Sequence, residues 1–230
     1  MAHLLKLELK KFRLSRKIFV ALLAVVFCVL FITVSLVDSM TDPEQTKDTF
    51  ESTFLVIGLL ISFIFMVYSS VLTSSFVMNE YNQHTITILF AYPLNKKLLV
   101  AVKMIMITAF TAAAMLLGYI CCCGYIVGMD SVFDMLEGSF QVSYLAEWLP
   151  IAITGIIVCS ILSWWPFVVG MIKKSVPATI VTSLIAVFLR QVIITKNPTN
   201  QENILQIIIL FICTLAAVMI TFKKRVTKLD

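Results

Sequence analysis

Charged side chains are scarce in this chain, and their scarcity indicates the class of protein. Only 13% of the 230 residues are charged, whereas 60% are hydrophobic and the mean hydropathy is +0.99. A soluble domain carries about 25% charged residues. The composition therefore predicts an integral membrane protein, in which lipid replaces water around the apolar side chains. The net charge of +5 does not predict nucleic-acid binding, because the basic residues lie in short clusters between apolar runs.

The centres of the apolar runs lack Asp, Glu, Lys and Arg, and His3 and His84 lie outside the runs. Proton-coupled carriers place ionisable relays mid-membrane, and intramembrane metalloproteases need His and carboxylate ligands there. The phosphate-binding pattern G-x-x-x-x-G-K-[ST] is also missing. The sequence thus predicts no catalytic residue, metal site or cofactor in this chain. Arg190, toward the outer end of its run, is expected to extend its guanidinium to the membrane surface.

Six apolar runs reach or approach the roughly 20 residues that a spanning helix needs. They cover residues 18–37, 54–77, 98–129, 148–169, 176–194 and 204–222. The sequence therefore predicts an all-α, six-helix transmembrane domain over 18–222 and a tail over 223–230. The third run is long enough for its helix to tilt or project beyond the bilayer. Trp148 and the pair Trp164–Trp165 predict indoles at both membrane interfaces of the fourth span.

The distribution of basic residues predicts the orientation. Fifteen of the 18 Lys and Arg residues precede the first run, separate the second from the third and the fourth from the fifth, or follow the sixth. The other side holds only Lys47, Arg190 and Lys196, with ten of the 13 acidic residues. By the positive-inside rule both termini are cytoplasmic. The predicted location is the plasma membrane of a bacterial cell.

Residues 1–17 are basic and show helical periodicity. The apolar side chains of one predicted face and the basic side chains about 100° away are Leu5, Leu9, Phe12, Lys6, Lys10 and Arg13. This pattern predicts an interfacial helix on the cytoplasmic leaflet, where membrane lipid is its partner. A solvated cluster of charges that only sets the topology is the alternative.

The second run carries hydroxyl side chains toward its cytoplasmic half. Ser62, Ser69 and Thr73 share a helix face by their spacing. Two roles fit this pattern: the hydroxyls line a translocation path, or they form hydrogen bonds between helices, as Ser and Thr commonly do in membranes. The sequence alone leaves both open.

The most distinctive stretch joins the second and third runs and reads MNEYNQHTITILFAYPLNKKLLVAVKM. It resembles the first cytoplasmic loop of permease subunits of type-two ABC exporters, which runs approximately E…GT…LL…P(V/L)(S/N)(R/K)…K. The residues that match are Glu80, Thr85, Leu89, Pro93, Asn95, Lys96 and Lys103. His84 replaces the usual glycine. The opening LLKLELKKFRLSRKIFVALL is similar to small permeases of lantibiotic-immunity, bacitracin-resistance and related peptide exporters.

The resemblance implies a function and a set of partners. In that family two six-helix permeases pair, and each docks a separate ATPase subunit through this loop, so residues 80–95 would include the coupling helix. ATP and Mg²⁺ would then bind in the partner subunit, and the second permease would be a copy or a paralogue. The implied cargo is a hydrophobic or amphipathic peptide or antibiotic, exported for resistance, immunity or secretion. The alternatives are a substrate-binding membrane subunit of a vitamin uptake system and an intramembrane enzyme.

Overall fold

The chain folds into a bundle of α-helices. The computed structural model describes residues 14–41, 49–78, 96–133, 136, 142–173, 175–193 and 201–223. The helices of these residues, in chain order, are α1 (Leu14–Thr41), α2 (Phe50–Thr73), α3 (Lys96–Phe133), α4 (Val142–Leu162), α5 (Trp164–Lys173), α6 (Val176–Ile193) and α7 (Gln201–Thr221). A π-helical turn, Ser74–Met78, continues α2. The all-α prediction is confirmed.

Five stretches of the described helices are long and apolar enough to cross a membrane. They are Arg16–Asp38, Phe50–Val77, Leu98–Phe133, Tyr144–Lys173 and Ile204–Thr221. The fourth comprises α4 and α5 together. The remaining predicted run coincides with α6, whose apolar part, Val176–Gln191, is shorter. Helices suit these segments because they satisfy their backbone hydrogen bonds internally, as lipid requires. The orientation of the termini stays a prediction.

Specific residues set several helix boundaries. Thr49 caps α2, since its side-chain oxygen accepts a hydrogen bond from the Ser52 amide at 3.4 Å. Helix α4 ends at Leu162, four residues before Pro166, whose missing N–H leaves the Leu162 carbonyl without its helical donor. Pro177 is the second residue of α6, where the missing donor costs little.

Helix α2 is the centre of the bundle. It packs against α1, α3, α4, α5 and α6, and its large apolar side chains, such as Phe54 and Phe65, are almost fully buried. A Cβ on Gly118 of α3 would lie 3.3 Å from the Phe65 ring, so glycine allows a close approach of α2 and α3 there. The outer helices α1 and α7 expose most of their apolar side chains, as lipid-facing helices do.

Trp148 faces the core of the bundle. Its side chain is only 9% exposed, and its Nε1–H donates to the carbonyl of Phe54 at 3.2 Å. The ring also packs edge-to-face on Tyr119, with 5.4 Å between centroids. The indole thus packs within the bundle, and its predicted level at the membrane interface stays a prediction. The indole finds its hydrogen-bond acceptor inside the bundle and does not need the headgroup region.

Candidate functional site

Many of the residues predicted to be functional lie outside the described residues. Among the coupling-loop residues these are Glu80, Thr85, Leu89 and Pro93, and among the interfacial-helix residues they are Leu5, Lys6, Leu9, Lys10, Phe12 and Arg13. Lys96 is the first residue of α3, and Lys103 lies two turns further along the same helix. The coupling and interfacial roles of these residues stay predictions.

Lys103 joins the two ends of the predicted coupling loop. The side chain is 5% exposed, and its ammonium donates a long hydrogen bond, 3.5 Å, to the carbonyl of Phe76. Phe76 belongs to the π-helical turn before residues 79–95, and Lys103 belongs to the helix after them. A displacement of that segment would therefore reach both α2 and α3.

Helix α1 meets the same region. The hydroxyl of Tyr68 on α2 donates to the backbone carbonyl of Lys17 at 2.9 Å. The Lys17 ammonium lies 5.1 Å from the centroid of the Phe76 ring, a cation–π contact. We call Lys17, Tyr68, Phe76 and Lys103 the basic junction. It links α1, α2 and α3 at the π-helical turn that continues α2.

The three hydroxyls of the predicted translocation path all lie in the interior of the bundle, with 0% exposure. Ser62 donates to the Gly58 carbonyl at 2.6 Å, and Thr73 donates to the Ser69 carbonyl at 2.9 Å. The Ser69 hydroxyl has no hydrogen-bond partner among the described residues. A hydrogen bond between helices comes instead from Ser70, whose hydroxyl accepts from Ser183 on α6 at 3.1 Å.

Arg190 is buried inside the bundle, so the prediction that it reaches the membrane surface is wrong. Its side chain is 5% exposed, and its Nη2 would lie 3.6 Å from a Cβ built on Gly58. The Cα–Cβ bonds of a helix tilt toward its N-terminus. In the predicted orientation the N-terminus of α6 is the cytoplasmic end, so an arginine near the other end points back toward the membrane centre. The absence of a side chain at Gly58 leaves room for it.

Four helices contribute polar side chains around this guanidinium. Ser62 of α2, Tyr119 of α3 and Cys159 of α4 interact electrostatically with one another or with Arg190 of α6. We call these four residues the arginine cluster. The Tyr119 hydroxyl approaches Ser62 and Arg190 but forms no hydrogen bond of ordinary geometry within the described residues. Ser62 and Cys159 lie near the middle of their spans, 12 residues from Phe50 and 15 from Tyr144.

Sequence reasoning found only Ser62 of this cluster. Tyr119 and Cys159 sit in apolar runs where each matches the pattern of a core residue, and the pairing of runs is not visible in the sequence. The one available signal was the direction of α6. Because side chains tilt toward the N-terminus of their helix, the side chain of Arg190, near the C-terminus, points back along α6.

The fold is that of a multi-pass membrane protein with polar side chains buried among its helices. Its apolar helices surround a central helix, and no group of three or more His, Cys, Asp or Glu in the described part of the chain could hold a metal ion. The family model described as ABC-2 family transporter protein matches residues 4–190, and the chain belongs to this family. The prediction of an ABC permease subunit is thereby confirmed.

The chain is also similar to a protein of Bacillus subtilis. It is 27% identical over 190 residues to the uncharacterized protein YcbO of Bacillus subtilis strain 168. The aligned region covers 81% of this chain and 82% of YcbO. No solved structure matches the chain. As a member of its family the protein is the membrane subunit of an ABC transporter in the cell membrane, not an enzyme, and ATP hydrolysis belongs to a separate ABC ATPase partner. The family also implies a dimeric arrangement.

Proposed function

We propose that this permease exports a hydrophobic or amphipathic peptide or antibiotic, driven by ATP and Mg²⁺ bound in its ATPase partner. The observation that carries the proposal is membership of the ABC-2 family over residues 4–190 in a bundle whose outer helices are apolar. A cargo with a large apolar surface can reach such a bundle directly from the bilayer, because it needs no charged partner for most of that surface. The second permease is a copy of this chain or a paralogue.

Coupling to the ATPase would run through residues 80–95. The structure supports this route at its ends, since Lys103 of α3 contacts the carbonyl of Phe76 in the π-helical turn. A helix docked in a groove of the ATPase would move with it. The basic junction would pass that movement to α2, which packs against five other helices and carries Ser62, Ser69 and Thr73. These hydroxyls would line the path when the helices separate.

Reconstitution tests the source of energy. The chain in proteoliposomes, with a dansyl-labelled amphipathic peptide as the probe, should transport nothing by itself, with or without a proton gradient. The ATPase partner and ATP should start transport, whereas a non-hydrolysable ATP analogue should not. Gradient-driven transport by the isolated chain would contradict the proposal and indicate a secondary carrier.

Substitutions in the loop test the coupling route separately. Glu80→Ala and Pro93→Ala should lower peptide transport and peptide-stimulated ATP hydrolysis while the amount of protein in the membrane stays constant. Thr46→Ala, on the predicted outer side, is the matched control and should leave both rates unchanged. Unchanged rates in both loop variants would remove residues 80–95 from the coupling route but leave the ATP requirement untouched.

A further inference from the structure

Two buried side chains of the arginine cluster have polar atoms without a hydrogen-bond partner among the described residues. They are the Nε–H of Arg190 and the hydroxyl of Tyr119. Arg190 is 5% exposed and Tyr119 is 4% exposed. Buried polar groups are nearly always hydrogen-bonded, and each exception calls for an explanation. Tyr119 and Arg190 are neighbours on different helices, so one further group that accepts hydrogen bonds would satisfy both atoms.

The positive charge of the guanidinium indicates that the missing partner is an anion. Arginine stays protonated in proteins. It donates to the neutral amide oxygen of Gln191, at 3.0 Å from Nη1, and its other side-chain neighbours given by the described residues, Tyr119 and Cys159, carry no negative charge near neutral pH. A buried charge without a counter-charge is strongly unfavourable. Ionisable residues inside membrane segments accordingly mark substrate sites or pathways in many transporters.

The geometry of the guanidinium indicates the kind of anion. Gln191 accepts from Nη1, whereas the Nε–H, on the edge that also carries Nη2, has no hydrogen-bond partner among the described residues. Two parallel N–H groups on one edge match the two oxygens of a carboxylate or a phosphate. Nη2 packs against Gly58 of α2, 3.6 Å from where a Cβ would lie, so the lack of a side chain there allows the guanidinium to take this position.

We propose that the arginine cluster binds one oxyanion, a carboxylate or a phosphate, carried by an otherwise apolar molecule in the membrane. Arg190 binds the two oxygens through Nε and Nη2, and the Tyr119 hydroxyl donates a third hydrogen bond. Trp148 holds the Tyr119 ring edge-to-face from the side. The inference deepens the proposed function and rests on it only in naming the anionic group that the exported cargo presents.

Equilibrium binding to the transporter purified with its ATPase tests the site. The probes are oleate against oleyl alcohol, and dioleoyl phosphatidylglycerol against dioleoylglycerol, which lacks the phosphate, each competing with tritiated oleate in a scintillation proximity assay. Wild type should prefer one or both anionic probes about tenfold or more, the scale of a charge-assisted hydrogen bond. Oleate preference alone identifies a carboxylate ligand, and displacement by phosphatidylglycerol identifies a lipid phosphate.

Three variants locate the preference. Arg190→Gln should abolish it, and Tyr119→Phe should weaken anion binding about 3-fold to 10-fold, as expected for one hydrogen bond. Tyr125→Phe is the matched control, because its hydroxyl lies on the same helix but is already paired with Thr33 at 2.7 Å. It should bind like wild type. If Arg190→Gln does not fold, Tyr119→Phe against Tyr125→Phe decides the question.

The proposal is overturned if wild type binds charged and neutral probes equally, or if Tyr119→Phe and a folded Arg190→Gln retain the full preference. Its failure is distinguishable from failure of the proposed function. Anion preference without peptide export would leave the site in place and remove the peptide cargo. ATP-driven peptide export without anion preference would support the proposed function and remove the anion site.

Discussion

Among the described residues two cationic side chains are buried, Lys103 in the basic junction and Arg190 in the arginine cluster. They differ in the groups that pair with the charge. Each side chain is 5% exposed. The Lys103 ammonium donates to the Phe76 carbonyl, and the residue has at least one further interaction. The Arg190 guanidinium, by contrast, donates to the neutral amide oxygen of Gln191 and has an Nε–H without a hydrogen-bond partner in the described part of the chain.

The difference separates a structural cation from a binding one. A lysine whose hydrogen bonds join two helices contributes to the bundle in every state of the transporter. An arginine left incompletely paired lowers the stability of the empty bundle and gains its partner only when a ligand arrives. The two centres also share α2, since the π-helical turn that contacts Lys103 continues the helix that carries Ser62.

The prediction with the largest expected effect concerns the orientation of the bundle, because an ATPase can reach the basic junction only from the cytoplasm. With the six cysteines replaced, an impermeant maleimide should label Thr46→Cys and Ser131→Cys in intact cells. Lys173→Cys should react only after permeabilisation. The expected difference is all-or-none, and it follows from the fifteen-to-three division of Lys and Arg. Labelling of position 173 from outside would invert the bundle and contradict the coupling route.

Hydropathy was sufficient to predict the helices, because each run must satisfy its backbone within lipid and few other structures can. The predicted run 176–194 and the helix Val176–Ile193 nearly coincide. The site was less predictable, since it depends on which helices touch. Neither the burial of Trp148 against Phe54 nor that of Arg190 against Gly58 leaves a local signal, because both partners lie more than ninety residues away in the sequence.

Removal of the incompletely paired charge should stabilise the empty protein. We expect Arg190→Met to raise the free energy of unfolding by about 1–4 kcal/mol, the range found when buried ionic groups are replaced by apolar ones. The measurement is an SDS titration in dodecyl maltoside, followed by tryptophan fluorescence, without added anion. Arg16→Met, at an exposed position of α1, is the control and should stay within about 0.5 kcal/mol. A marked loss of stability in Arg190→Met would show that the arginine already has a full set of partners.

The smallest effect is expected at the basic junction, and its sign should be opposite. Lys103→Met removes the charge-assisted hydrogen bond to the Phe76 carbonyl, so the free energy of unfolding should fall by about 1–3 kcal/mol. Lys173→Met removes the same charge from an exposed position and should change it by no more than about 0.5 kcal/mol. The same SDS titration measures both variants. If Lys103→Met is more stable than wild type, the partners of this ammonium do not offset the cost of burying its charge. The distinction between a structural and a binding cation would then fail.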